Sequence, residues 1–142
     1  MTTNGQVTIV MIEDDEGHAR LIEKNIRRAG VVNPVEHFAL ASAGLDFLNA
    51  KRAEKFSMLL LLDLNLPDAS GIDVLAKIKS DDVLKRMPVI VLTTTDDREE
   101  IQRCYDMGCN VYITKPVDYQ TFSDAIRQLG LFLAVMQVPD AT

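Results

Sequence analysis

The sequence predicts an α/β fold: a doubly wound, parallel five-stranded sheet built as (βα)5. Three observations predict it. Short apolar runs alternate five times with stretches of helical period. The third run, Met58-Leu59-Leu60-Leu61-Leu62, is unbroken by polar residues, as a buried strand of a parallel sheet requires. Gly30, Pro67, Gly71, Pro88 and Gly108 punctuate the boundaries between runs. A chain of 142 residues is long enough for one core without staples, burying roughly 68 to 70% of its unfolded surface. The expected organisation is one domain over residues 1–142, with 1–6 a flexible polar tail, 131–142 a C-terminal extension and no output domain.

In order along the chain, Val7 to Ile12 reads as the first strand. A helix from about Glu16 to Ala29 follows, with Ala19, Ile22, Ile26 and Ala29 on one face and Gly30 as its stop. Val35 to Ala39 is a weaker second strand, and Ser42 to Ala50 the next helix. Met58 to Leu62 is the third strand, and the helix Gly71 to Ser80 buries Leu75 and Ile78. Pro88 opens the fourth strand, which runs to Leu92 or Thr93. The helix from about Arg98 to Met107 turns Ile101, Cys104 and Tyr105 inward and ends at Gly108. Asn110 to Thr114 is the fifth strand. Asp118 then caps a last helix with Phe122, Ala125, Ile126 and Leu129 on one face.

On this frame the polar residues gather at one edge of the sheet. Glu13, Asp14 and Asp15 follow the first strand, Asp63 the third, Thr93 to Thr95 the fourth, and Lys115-Pro116 the fifth. In an open parallel sheet, chemistry collects in the crevice outside the carboxyl ends of the strands. Carboxylates crowded there repel one another, and a hard divalent cation with oxygen ligands relieves the repulsion, Mg2+ fitting best. Magnesium commonly shares its site with a phosphate. The Thr93 hydroxyl and the Lys115 ammonium are placed to hold the other oxygens of a tetrahedral anion. The edge therefore reads as a place for a phosphoryl group on Asp63.

Composition removes several classes. The net charge of −6, with no stripe of Lys and Arg, lacks the footprint of a nucleic-acid binder. Cys104 and Cys109 have neither metal-ligand spacing nor paired histidines beside them, so free packing thiols are expected. No apolar stretch reaches the roughly 18 residues of a membrane span, and the N-terminus has no signal pattern, which predicts a cytoplasmic protein without a membrane partner.

The segments IEDD, LLLDLNLP with a following SG, VLTTT and YITKP, in this order and spacing, resemble the receiver domain of two-component response regulators over essentially the whole chain. The resemblance implies the flavodoxin-like strand order 2-1-3-4-5. It implies that Asp63 accepts a phosphoryl group from the phosphohistidine of a sensor histidine kinase. Asp14, Asp63 and the backbone carbonyl of Asn65 are then expected to hold Mg2+ directly, and Glu13, where the family more often has Asp, through water. Thr93 would bond the phosphoryl group and Lys115 pair with it, while Tyr112 matches the switch aromatic that turns inward as Thr93 is drawn toward the phosphate. The Lys115-Pro116 peptide is expected to be cis. Such a chain is a phosphoacceptor that assists its own phosphorylation and dephosphorylation, not a turnover enzyme.

Among the remaining polar residues, Thr94 and Thr95 read as caps of the following helix, with Asp96 and Asp97, sooner than as residues that tune access of the hydrolytic water. His18, one turn into the first helix, reads as solvated surface before rim of the site, and His37 as facing a sheet neighbour. After Gly130 the run Leu131-Phe132-Leu133-Ala134-Val135-Met136 is apolar all round, more than one monomer buries. Leu131, Phe132, Leu133, Val135 and Met136 are therefore expected to pair with a second copy of the chain, as a helix extension or an arm. This extension, the IEDD opening with A-R-L-I three residues on, and the stretch KSDDVLKRMPVIVLTTT resemble the short regulators paired with phytochrome-type bacterial histidine kinases.

A haloacid-dehalogenase-type phosphatase would use Asp63 as nucleophile but needs an acid two residues on, where this chain has Asn65. A flavin-binding module needs a phosphate cradle after the first strand, where this chain has Glu13-Asp14-Asp15-Glu16. A degenerate receiver would act only as a binding scaffold.

Overall fold

The computed structural model describes residues 7–28, 30–52, 58–94, 96–115, 118, 120–121, 123–125 and 127–128. Ten elements follow one another: β1 Thr8–Ile12, α1 Glu16–Arg28, β2 Val35–Phe38, α2 Ala41–Arg52, β3 Met58–Asp63, α3 Gly71–Lys79, a 3-10 turn Leu84–Arg86, β4 Val89–Thr93, α4 Arg98–Asp106 and β5 Val111–Thr114. All neighbouring strands pair in parallel in the order β2-β1-β3-β4-β5. Beyond β5, Gln120, Thr121, Ser123 to Ala125, Arg127 and Gln128 are helical, and Asp118 accepts the Thr121 N–H at 2.7 Å, the cap expected there. Ala29, Thr95, Pro116, Phe122, Ile126, Leu129, Gly130 and residues 131–142 lie outside the described residues, and with them the cis peptide and the apolar arm.

The period of the strands sorts the core into two layers. Ile9, Met11, Leu59, Leu61, Ile90 and Leu92 point to one face, against Ala19, Ile22 and Ile26 of α1 and Ala125. Val10, Ile12, Leu60, Leu62, Val89 and Val91 point to the other, against Leu48 of α2, Val74, Leu75 and Ile78 of α3 and Cys104 of α4. Each central strand is buried on both faces, which is why β1, β3 and β4 read as continuous apolar runs. Gly30 (φ 89°) and Gly108 (φ 105°) end α1 and α4 in the left-handed region, as expected of helix-stopping glycines.

One expectation about the core is corrected. Cys104 is buried and Ile101 half-buried, but Tyr105 is 45% exposed. Among the described residues strand β5 pairs only with β4, so its outer amides need partners from elsewhere; the Tyr112 N–H donates to the Tyr105 hydroxyl at 3.1 Å. That bond holds the ring at the sheet edge.

Two glycines fit their helices against the strand ends. A Cβ on Gly71, the first residue of α3, would lie 2.5 Å from the Asp63 carbonyl oxygen and closer still to Leu64 Cα. A Cβ on Gly44, inside α2, would meet Ile12 Cδ1 at 2.5 Å. Gly71 collides with backbone, which cannot rotate away, so Gly71→Ala is expected to cost about 1 to 3 kcal/mol of stability in urea denaturation.

Acidic side chains hold the connections. Asp68, in the loop after β3, accepts from the Ala41 and Ser42 N–H groups at 2.8 and 3.0 Å, capping α2 from a distant part of the chain. Asp81 accepts from the Val83 and Leu84 N–H groups and from Arg52 at 2.9 Å, and these bonds hold its carboxyl down at about 2. An acid depressed on folding adds stability above its ordinary value, and that stability is lost as the pH falls through the folded value. Thermal stability should therefore decline between about pH 4 and pH 2, and Asp81→Asn should lose part of that decline in melts across the range.

Candidate functional site

The ends of β1, β3, β4 and β5 come together at the carboxyl edge of the sheet. Glu13 and Asp14 follow β1, and Lys115 follows β5. Strand β3 runs one residue further than its apolar run predicts, because Asp63 pairs with Leu92 of β4, so the backbone beneath the Asp63 carboxylate is held by the ladder. On the neighbouring strand Thr93 ends β4 and is fully buried.

Among the described residues, Glu13, Asp14 and Asp63 form one cluster whose carboxylate oxygens can lie within 4.8 Å of one another. Asp14 is exposed, whereas Glu13 and Asp63 are buried. Asp15, expected beside them, turns away: its carboxylate accepts the His18 N–H at 2.9 Å, caps α1, and is thereby held below its ordinary value. Glu13 uses both oxygens, one on Lys115 Nζ at 2.5 Å and one on the Asp15 N–H at 3.1 Å. The His37 Nε2 lies 2.7 Å from the Glu13 carbonyl oxygen, so its N–H ties β2 to the loop that carries Asp14.

Asp63 accepts the Asn65 N–H on Oδ1 at 3.1 Å, and its Oδ2 lies 3.4 Å from Lys115 Nζ. Burial pushes the Asp63 carboxyl above its ordinary value and the Glu13 carboxylate adds to the push, while the Asn65 N–H and Lys115 pull it down. Two buried acids thus share one ammonium, and charge is left uncompensated. A divalent cation fits this donor set, which is all oxygen, partly open at Asp14 and short of positive charge.

Thr93 and Lys115 flank the acids. The Asn65 side-chain amide reaches Thr93 Oγ1 at 3.4 Å, and the Lys115 N–H donates to the Thr93 carbonyl at 2.6 Å. The lysine side chain is only 7% exposed. Its ammonium also lies 3.3 Å from His18 Nδ1, so His18, with its side chain 47% exposed, faces both the rim of the site and solvent. Tyr112 is half-buried on β5, and burial pushes its phenol well above the ordinary range. Next to Asp14 an open depression of about 560 Å3 is lined by the loop after β3, from Leu64 to Pro67 and Ser70. The edge gathers three carboxylates, that of Asp63 among them, with one ammonium and one hydroxyl.

A parallel 2-1-3-4-5 sheet with acids, a threonine and a lysine at four strand ends defines a receiver domain, and the chain belongs to the response regulator receiver domain family, whose model matches residues 9–127. Receiver domains are signalling modules that bind a divalent metal. In particular, the chain is similar to the receiver domain of a response regulator from Rhodospirillum rubrum, with 60% identity over 92% of this chain and 96% of that one and a TM-score of 0.77. It is 33% identical over 116 residues to the response regulator Rcp1 of Synechocystis sp., covering 80% of this chain and 79% of that protein. A structure of Rcp1 in its Mn2+-bound form is similar at 29% identity and a TM-score of 0.72, over 87% of this chain and 91% of that one. The phosphorylated cyanobacterial phytochrome response regulator RcpA matches at 32% identity and a TM-score of 0.74, over 91% of this chain and 94% of its own. Among the described residues no helix is long and apolar enough to cross a membrane.

Proposed function

We propose that the chain is a response regulator whose Asp63 accepts a phosphoryl group from a sensor histidine kinase of the phytochrome type and relays the signal by a change of conformation. The observation that carries the proposal is the buried Asp63 carboxylate, with Oδ2 3.4 Å from the Lys115 ammonium and Oδ1 on the Asn65 N–H, inside a cluster of three acids. The similarity to Rcp1 and to RcpA, a phosphorylated phytochrome response regulator, supports both the chemistry and the class of kinase.

In this reading an Asp63 oxygen attacks the phosphorus of the donor phosphohistidine. The P–O bond forms as the P–N bond breaks, and the imidazole leaves with the electron pair. Asp14, Asp63 and the Asn65 carbonyl would hold Mg2+, with Glu13 through water, and the ion supplies charge neutralisation at the transferring group. Lys115 neutralises a phosphoryl oxygen, and the Thr93 hydroxyl donates to another. Burial of Glu13, Asp63 and Thr93 keeps bulk water from one side of the site. A phosphoryl group adds roughly one and a half to two negative charges, enough to draw Thr93 and favour an inward Tyr112. The 3.1 Å bond between the Tyr112 N–H and Tyr105 ties that switch to α4. At the tail, Leu131, Phe132, Leu133, Val135 and Met136 favour a homodimer, and a chain ending at Gly130 is expected to sediment at half the mass of the full chain.

Intact-mass spectrometry after incubation with acetyl phosphate tests the proposal. One labile phosphoryl adduct is expected with Mg2+ and none with EDTA. Continuous release of phosphate from simple esters would favour the phosphatase reading instead, although the side chain two residues after Asp63 is the Asn65 amide, which cannot act as a general acid.

A further inference from the structure

The Lys115 ammonium has three N–H groups and three acceptors around it: Glu13 Oε1 at 2.5 Å, His18 Nδ1 at 3.3 Å and Asp63 Oδ2 at 3.4 Å. An ammonium has no lone pair, so the histidine nitrogen is the acceptor and the ring proton sits on Nε2. His18 has a fixed backbone, while its side chain is 47% exposed. It stands in the first turn of α1, where its own N–H is fixed on Asp15 Oδ1 at 2.9 Å and the Asp15 carbonyl takes the Ala19 N–H at 2.9 Å. With Glu13 and His18 as two of its acceptors, the lysine keeps the longest of its three contacts for Asp63.

We propose that His18 is a positioning residue for phosphoryl transfer: its Nδ1 takes one Lys115 N–H and holds the ammonium toward α1, so that Asp63 Oδ2 keeps only the longest of the three Lys115 contacts and can be reached by the incoming phosphorus. This rests on the reading of Asp63 as phosphoacceptor. Without the acceptor on α1, the N–H now held by His18 is released, and the ammonium closes further on Asp63 Oδ2, the oxygen that must attack. It then lies off the position from which it would neutralise a phosphoryl oxygen. Formation and hydrolysis of the acyl phosphate both pass through an in-line, planar phosphoryl group whose oxygen Lys115 neutralises, so both steps slow together.

Three chains test it at about pH 8 with saturating Mg2+: wild type, His18→Leu and His18→Asn. The asparagine carbonyl can place an acceptor where Nδ1 stands. The rate of adduct formation from acetyl phosphate and the rate of adduct hydrolysis are followed by intact mass. His18→Leu is expected to slow both by about 3- to 10-fold, less than the roughly 100-fold of a 1 Å misplacement. His18→Asn should recover most of the loss, with melting temperatures alike. Wild-type rates in His18→Leu, or an equal loss in His18→Asn, would overturn the positioning role while leaving Asp63 in place. No adduct on the wild-type chain would remove the phosphoacceptor reading and the role of His18 with it.

Discussion

Asp63→Asn is expected to take no phosphoryl group from acetyl phosphate and to melt at a higher temperature than the wild type at neutral pH. The first result follows from chemistry: the amide keeps the shape of the side chain but has no anionic oxygen to attack phosphorus. The second follows from the charge. Burial raises the Asp63 carboxyl above its ordinary value, with Glu13 adding to the effect. An acid whose folded value is raised gives its full contribution to stability below its unfolded value and loses it as the pH rises through the folded value. At neutral pH the ionised Asp63 therefore opposes folding, and replacing it by a neutral isostere removes the penalty. Lys115 keeps Glu13 at 2.5 Å and His18 at 3.3 Å, so the substitution strands no cation. The gain should shrink as the pH falls toward about 4, because the raised folded value lets the wild-type carboxyl take its own proton before that point. A substitution that abolishes the chemistry and strengthens the fold is the signature of a site whose charges are arranged for reaction.

Lys115→Met should do the reverse to the fold. Methionine fills much of the lysine stem but leaves Glu13 and Asp63 buried without the ammonium that pairs with both. Removing one partner of a buried ion pair costs about 3 to 5 kcal/mol, and that loss should appear in urea denaturation in EDTA. Added Mg2+ should restore part of it, because a ligand that binds only the folded chain stabilises it by mass action. The adduct should also form about 100- to 1,000-fold more slowly, the usual effect of losing one donor to a developing anion. If Mg2+ returned no stability to Lys115→Met, the cluster of Glu13, Asp14 and Asp63 would not be a cation site.

The frame of the fold was legible because parallel strands buried on both faces leave long apolar runs, and because Gly30 and Gly108 mark helix ends. The strand-end acids, Thr93 and Lys115 were legible for the same reason: once the strands are placed, their carboxyl ends share one edge. What escaped depends on contacts between distant parts of the chain. Asp68 caps α2 from 27 residues away, and no local pattern joins the two. Gly44 lies inside a helix, where only the Ile12 side chain against it explains the missing Cβ. His18 meets Lys115 across 97 residues, and helical period alone shows it as exposed. Asp15 lies in the acidic run, but the first turn of α1 takes its carboxylate for a cap. Tyr105 has the spacing of a core residue and is held outside by the unpaired edge of β5.

The central claim is that Asp63 itself carries the phosphoryl group, and chemical trapping tests it most directly. Borohydride reduces an aspartyl phosphate to homoserine, so the chain is phosphorylated with acetyl phosphate and Mg2+, reduced, digested and sequenced by tandem mass spectrometry. Homoserine in place of Asp63 alone, absent when EDTA is present, is the expected result. Homoserine at Asp14 or at another acid, or none although an adduct mass is present, would contradict the account.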